Sequence, residues 1–160
     1  MNNIHKLDIV RNFVRDQKPD FLLLQETKMC KEKVEQIKSF KNYSINASSS
    51  EGASGGTLML WKKNYSGTIL FDSKHLMIAK ITNFDQRDGR YLVNIYAPNT
   101  KNLRKKIWNS ISNFKSKDYH GRWIIMGDFN VPLYDHEKMG GNASQLEGRL
   151  DLMEFINKEG

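Results

Sequence analysis

The chain has 160 residues, with 25 Lys and Arg against 18 Asp and Glu, for a formal net charge of +7. That length suits one domain with a sizeable core, and 39% hydrophobic with 27% charged residues excludes a disordered polyelectrolyte. No apolar run nears the roughly 18–20 residues that span a bilayer, Met1 to Lys6 lacks a secretory apolar segment, and a single cysteine, Cys30, excludes an internal disulfide and a Cys-rich zinc module.

Leu7, Val10 and Val14 recur at helical spacing with Arg11, Arg15 and Asp16 between them, and Pro19 stops the helix they predict. Phe21 to Leu24 is a short buried-strand run. A weaker helix is expected over Lys31 to Phe40, with Val34 and Ile37 inward. The Ala47 to Gly56 stretch, rich in Ser and Gly, reads as a loop before a strand. Thr57 to Trp61, Gly67 to Phe71, Leu76 to Thr82 and Arg90 to Tyr96 are strand-like, separated by Asn, Asp, Gly and Ser. Leu103, Ile107 and Ile111 give another helix, Trp123 to Met126 another buried strand, and Leu146, Leu150 and Met153 a final helix. This order predicts an α/β (α+β) layered domain with helices packed on sheets. Residues 1–160 form one domain, without repeats or a linker.

Three apolar runs end in polar clusters: Gln25-Glu26-Thr27, Tyr96-Ala97-Pro98-Asn99 and Gly127-Asp128-Phe129-Asn130. If the strands before them share one sheet edge, the clusters converge. A carboxylate at a buried strand end is costly unless paired or metal-bound, and oxygen-only donors suit a hard cation such as Mg²⁺. Asn99 and Asn130 bring donors for phosphate oxygens without added charge, and Tyr96 can donate to or orient a group on a phosphate. These are the parts of a metal-assisted phosphodiester hydrolase. Taken singly, Glu26 also reads as a turn former, Gly-Asp-Phe-Asn as a tight turn and Tyr96 as a core aromatic. The basic balance, with a sequence pI of about 9.4, admits a polyanionic partner, nucleic acid first.

The blocks Gln25-Glu26-Thr27-Lys28, Tyr96-Ala97-Pro98-Asn99 and Gly127-Asp128-Phe129-Asn130, in this order, resemble the signature of the endonuclease/exonuclease/phosphatase superfamily, the deoxyribonuclease-I-like enzymes. The stretch Glu137-Lys138-Met139-Gly140-Gly141 resembles plant non-LTR (LINE-type) retrotransposon endonuclease domains. The resemblance implies a four-layer α/β/β/α sandwich, cleavage of phosphodiester or phosphomonoester bonds with Mg²⁺ (or Mn²⁺), DNA as partner, no membrane, and an intracellular, nuclear place of action. It implies that Glu26 binds the metal and that Tyr96 contacts the scissile phosphate. It further implies that Asn99 contacts phosphate or the DNA backbone, that Asp128 activates the attacking water, and that Asn130 stabilises the phosphate.

Against that pattern the chain is expected to lack the first strand, with its Trp-Asn element, and the C-terminal portion with a Ser-Asp-His block. It therefore reads as an incomplete domain, nearly or wholly inactive in isolation, because losing one member of a cooperating catalytic set costs several orders of magnitude in rate. Asp135-His136 reads as an exposed loop pair, and His5, His75 and His120 as surface or satisfied histidines. Lys101, Arg104, Lys105 and Lys106 form a basic cluster, open between DNA-backbone contact and a solvated helix face; Arg104 and Lys105 are its candidate nucleic-acid contacts. Lys28, Lys31 and Lys33 carry the same ambiguity. Trp61, Trp108 and Trp123 read as core. Gly55-Gly56 reads as a strained turn entering a strand, and Cys30 as incidental. Two alternatives stand beside the endonuclease: a non-catalytic nucleic-acid-binding remnant, and a phosphatase of the same superfamily.

Overall fold

The computed structural model describes residues 4–28, 40–48, 56–83, 89–117, 121–134 and 144–159. Cys30, Lys31, Lys33, the helix expected from Lys31, Gly55, His120, Asp135-His136 and Glu137 to Gly141 lie outside the described residues, as does the side chain of His5. The chain falls into two compact units, Met1–Tyr96 with Gly121–Asp128, and Ala97–His120 with Phe129–Gly160.

In the first unit, helix α1 (Ile4–Gln17) is followed by strands β1 (Phe21–Leu24), β2 (Tyr43–Ala47), β3 (Leu58–Lys62), β4 (Tyr65–Asp72), β5 (Leu76–Asn83), β6 (Arg90–Tyr96) and β7 (Arg122–Asp128). They form two sheets, one ordered β1-β3-β2 and antiparallel throughout, the other β4-β5-β6-β7 with β6 and β7 parallel. Successive strand residues face opposite ways, and β3 uses both faces. Leu58 and Leu60 pack with Val14, Phe40 and Tyr43, against which Leu7 and Val10 of α1 also pack. Met59 and Trp61 pack with Met77, Ala79, Ile81 and Leu92 of the second sheet. A layered α1/sheet/sheet arrangement results, and each such buried side chain is worth about 1.5–3 kcal/mol. Gly67 makes the packing possible, since a Cβ there would stand 2.5 Å from the Trp61 ring.

Helix α1 stops as its sequence predicts. Lys18 turns left-handed (φ 46°) and its N–H donates to the Val14 carbonyl at 3.0 Å, one residue before Pro19. The predicted strands are all present, and β2 is an addition. Its Tyr43, Ile45 and Ala47 alternate with Ser44 and Asn46, a short pattern hidden by the polar sequence around it. The condition that the three strands share one sheet edge is not met, since β1 belongs to one sheet and β6 and β7 to the other, as the two facing sheets of the sandwich require. Trp123 to Met126 is not a fully buried run either. β7 is an edge strand, and Ile124 and Met126 are 40% and 43% exposed.

The second unit holds α2 (Lys101–Lys115) and α3 (Ser144–Glu159). Ile111 is buried on α2 as expected, whereas Leu103 is exposed. On α3 the described inward face is carried by Leu152 and Phe155, not by Leu150 and Met153, which are exposed, and the side chain of Leu146 lies outside the described residues. The Trp108 ring stacks on Phe155 at 5.0 Å and on Phe129 at 5.9 Å, and these aromatics set the helix rotation. Trp61 and Trp108 are core residues, and Trp123 stacks on Tyr91 at 4.5 Å. No described helix is long and apolar enough to cross a membrane.

Candidate active site

In the first unit, three of the sequence-selected side chains sit at strand ends. Glu26 follows β1 by two residues in a left-handed conformation (φ 50°), and Lys28 repeats it (φ 52°). Non-glycine residues hold such backbone only under constraint, at a cost of roughly 1–3 kcal/mol. The constraint is visible on either side. The Thr27 N–H donates to the Gly56 carbonyl at 3.1 Å, and Gln25 Nε2 donates to Asn94 Oδ1 at 2.6 Å. Gly56 takes φ 88°, the strained turn expected before β3.

Asn94 is wholly buried in the middle of β6 and bonds with both ends of its amide. Its Nδ2 donates across to the carbonyls of Leu24 (3.2 Å) and Leu58 (3.1 Å) in the facing sheet. A buried amide left unpaired would cost about 1–3 kcal/mol, so this fully bonded group locks the sheets together beside Glu26. In sequence it is one polar letter inside an apolar strand, and nothing there singled it out.

Tyr96 ends β6, and its parallel register partner is Asp128, the last residue of β7. Gly127 permits that approach. Its φ is +143°, and a Cβ would fall 2.0 Å from the Ile95 carbonyl oxygen. Burial first, and then the negative charges of Glu26 and Asp128, push the Tyr96 phenol above its ordinary value of 10.0, with Lys28 opposing. The three side chains therefore act on one another electrostatically, although they arrive from two sheets. Glu26 is half-exposed and ion-paired with Lys28 at 3.2 Å.

His75, read in the sequence as a surface or satisfied residue, lies against Tyr96. Its Nδ1 is 2.8 Å from the Tyr96 carbonyl oxygen, the Tyr96 N–H donates to the His75 carbonyl at 2.9 Å, and the rings stack at 6.0 Å. It is satisfied, as expected, and it also fixes the tyrosine's backbone.

In the second unit, Asn130 is left-handed (φ 50°) and its Nδ2 donates to the carbonyl of buried Ala97 at 2.5 Å. Arg104 Nη1 donates to the carbonyls of Asn99 (2.6 Å) and Pro98 (3.2 Å), which holds the Tyr-Ala-Pro-Asn turn onto α2. Asn99 is exposed. Lys105 pairs with Asp151 at 3.2 Å, and Lys101 lies 3.9 Å from the same carboxylate. Arg104 thus works locally as a turn brace, and Lys105 as part of a helix–helix ion pair.

As donors, Glu26 and Asp128 offer only oxygen, which fits a hard divalent cation that takes one or two protein carboxylates and completes its shell with water and phosphate. Among the described residues no group of three or more His, Cys, Asp or Glu gathers around a common point.

Two facing sheets with a flanking helix, and Tyr96 in register with Asp128 at the ends of two parallel strands, define an α/β sandwich with polar residues at its strand ends. Residues 2–152 match the model of the Endonuclease/Exonuclease/phosphatase family, and the chain belongs to that family. Among the described residues its two sheets and three helices match the family's sandwich. The AP endonuclease LMAP from Leishmania major superposes with a TM-score of 0.72 at 16% identity, covering 96% of this chain and 61% of that one. An AP endonuclease from Archaeoglobus fulgidus gives 0.73 at 21% identity, covering 98% and 67%. The 3′ phosphatase NExo from Neisseria, bound to product DNA hairpin, gives 0.68 at 16% identity, covering 95% and 66%. The chain thus spans 61–67% of the length of these structures. At such identities the likeness is one of fold. No curated protein matches the sequence.

Proposed function

We propose that this chain is part of a Mg²⁺-dependent DNA endonuclease domain of retroelement type, and that the 160 residues alone cleave DNA very slowly or not at all. The observation that carries this reading is the parallel register that sets Tyr96 opposite Asp128 at the ends of β6 and β7, where burial and then the charges of Glu26 and Asp128 raise the phenol. A protonated phenol beside two carboxylates serves a phosphodiester well: it donates to a phosphate oxygen, while a carboxylate accepts a proton from the attacking water.

In this reading Glu26 would hold a Mg²⁺ ion, which supplies charge neutralisation at the phosphate; Mn²⁺ would substitute. Asp128, exposed at the end of β7, orients and deprotonates the water. Tyr96 donates to the phosphate. Asn130, whose amide donates to the Ala97 carbonyl, would stabilise the phosphate. Asn99, Arg104 and Lys105 contact the DNA backbone. Three observations support low activity. Glu26 is held by Lys28 and must be released before it binds a metal. Arg104 and Lys105 are already engaged within the protein.

The test is a supercoiled plasmid incubated with the purified protein and Mg²⁺. The expected result is salt-sensitive binding with little or no nicking. Mg²⁺-dependent nicking lost in Asp128→Ala would uphold the hydrolase assignment and overturn the claim of low activity. Release of phosphate from a small phosphoester without nicking would replace the endonuclease by a phosphatase.

A further inference from the structure

The first unit carries a cleft of about 660 Å³ far from Glu26, between the end of α1, the segment 40–43 and the β3–β4 connection. It adjoins the Phe21/Trp61 end of the β1–β3 pair, whereas Glu26 follows the Leu24/Leu58 end. That is roughly 10 Å along the strands at about 3.3 Å per residue. Among the described residues, six of the eleven that line it are cationic (Arg11, Arg15, Lys18, Lys41, Lys62 and Lys63) and none is acidic.

Three carboxylates stand just outside the lining. Asp8 holds Arg11 at 2.9 Å, Asp16 holds Arg15 at 2.8 Å and Asp20 holds Lys62 at 2.8 Å. Among the described residues no carboxylate lies within ion-pair distance of Lys18, Lys41 or Lys63. The negative end of the α1 dipole accounts for cations at Arg15 and Lys18. It does not account for Lys41, Lys62 and Lys63, which come from other segments.

The cations stand on a tied backbone. The Lys62 N–H donates to the Asp20 carbonyl at 3.0 Å, the Lys63 N–H to Asn42 at 2.9 Å, and the Tyr43 hydroxyl to Pro19 at 2.8 Å. Lys18 keeps a left-handed conformation, usually given to Gly or Asn, at the cleft itself. The floor is apolar, from Val14, Phe40 and Tyr43. A cleft of this size, with an apolar floor and a preorganised cationic rim, suits a small organic anion rather than a bare ion.

We propose that this cleft is a second phosphate-binding site, taking a nucleotide unit with its phosphate against Lys18, Lys41 and Lys63 and its base or sugar over the apolar floor. The nucleotide is part of a nucleic-acid strand or free, and the two sources share this chemistry. The site is independent of the hydrolase reading, because it needs neither metal nor Asp128.

The test measures binding of a short fluorescein-labelled single-stranded DNA by anisotropy, in EDTA, across a salt series, with unlabelled ATP as competitor. Lys18→Glu/Lys63→Glu is compared with wild type and with Arg122→Glu, an exposed cation outside the cleft. The expected result is a loss of affinity of roughly tenfold and a salt slope reduced by about 0.7 for each phosphate contact removed, with a much smaller change in Arg122→Glu. At constant ionic strength, displacement at micromolar ATP assigns the cleft to a free nucleotide, and displacement only at millimolar ATP assigns it to a strand. Circular dichroism confirms folding, and if the reversed charges unfold the chain, Lys18→Gln/Lys63→Gln reads the same loss at smaller amplitude. Affinity and slope equal to wild type in a folded variant would overturn the proposal, whatever the plasmid assay shows.

Discussion

Strands β6 and β7 lie side by side in parallel, and both read as apolar runs ending in a polar block, yet they live in different environments. In β6, Tyr91 through Ile95 are all buried, including the polar Asn94. In β7, Ile124 and Met126 stand exposed on the same apolar pattern. The difference is one of place. Among the described residues β6 has a neighbour on each side, and β7 has one. An apolar run states that a strand can be buried; its rank in the sheet decides whether it is. The pair also divides labour, since β6 anchors the facing sheet through Asn94, while β7 presents Asp128 at its end.

Perturbing the two strands in turn tests this division, and the joint between them should be the most sensitive point. Gly127→Ala would drive a Cβ against the Ile95 carbonyl at a backbone angle that only glycine holds easily. A loss of about 4 kcal/mol or more in urea unfolding is expected, and a loss below about 1 kcal/mol would mean that β7 is not held to β6 as described. Ile95→Ala, at a fully buried position, should cost about 3–4 kcal/mol. Asn94→Ala follows at about 2–3 kcal/mol, because the carbonyls of Leu24 and Leu58 and the Gln25 amide lose their partner. Ile124→Ala, on the exposed edge, should cost less than about 1 kcal/mol. Equal costs for Ile95 and Ile124 would erase the contrast.

The smallest effect is one of pH. Tyr96 is raised above 10.0 by burial and by Glu26 and Asp128, so the fold favours its neutral form. That contribution is fully present below the unfolded-state value and is lost as pH rises through the folded one. Stability should therefore decline on the alkaline side from about pH 10, and Tyr96→Phe should flatten the decline. An unchanged alkaline slope in Tyr96→Phe would show that the phenol does not sense the two carboxylates.

The residues of the strand ends were legible early because their chemistry is local. Glu26, Tyr96 and Asp128 each follow an apolar run, and a polar group at that place is conspicuous in a linear string. Their supports were not legible. Asn94 reads as an interruption in β6, and His75 as one histidine among four, until the fold sets the first against Gln25 and the second against Tyr96. Both contacts span long stretches of chain, and no spacing rule encodes them. The cleft at Lys18, Lys41 and Lys63 escaped notice for the same reason, since its cations come from three separated segments.

Element type and order were set by short-range forces: side-chain periodicity, the proline after α1 and the turn residues between strands act over a few residues, so the string carries them. The division of seven strands into two sheets, the exposed edge of β7 and the inward face of α3 were settled by long-range packing. On α3, Leu150 and Leu152 are equally apolar, and Leu152 is buried while Leu150 is not. The aromatic stack of Trp108 on Phe155 fixes the rotation there, and that preference exists only once the helices meet.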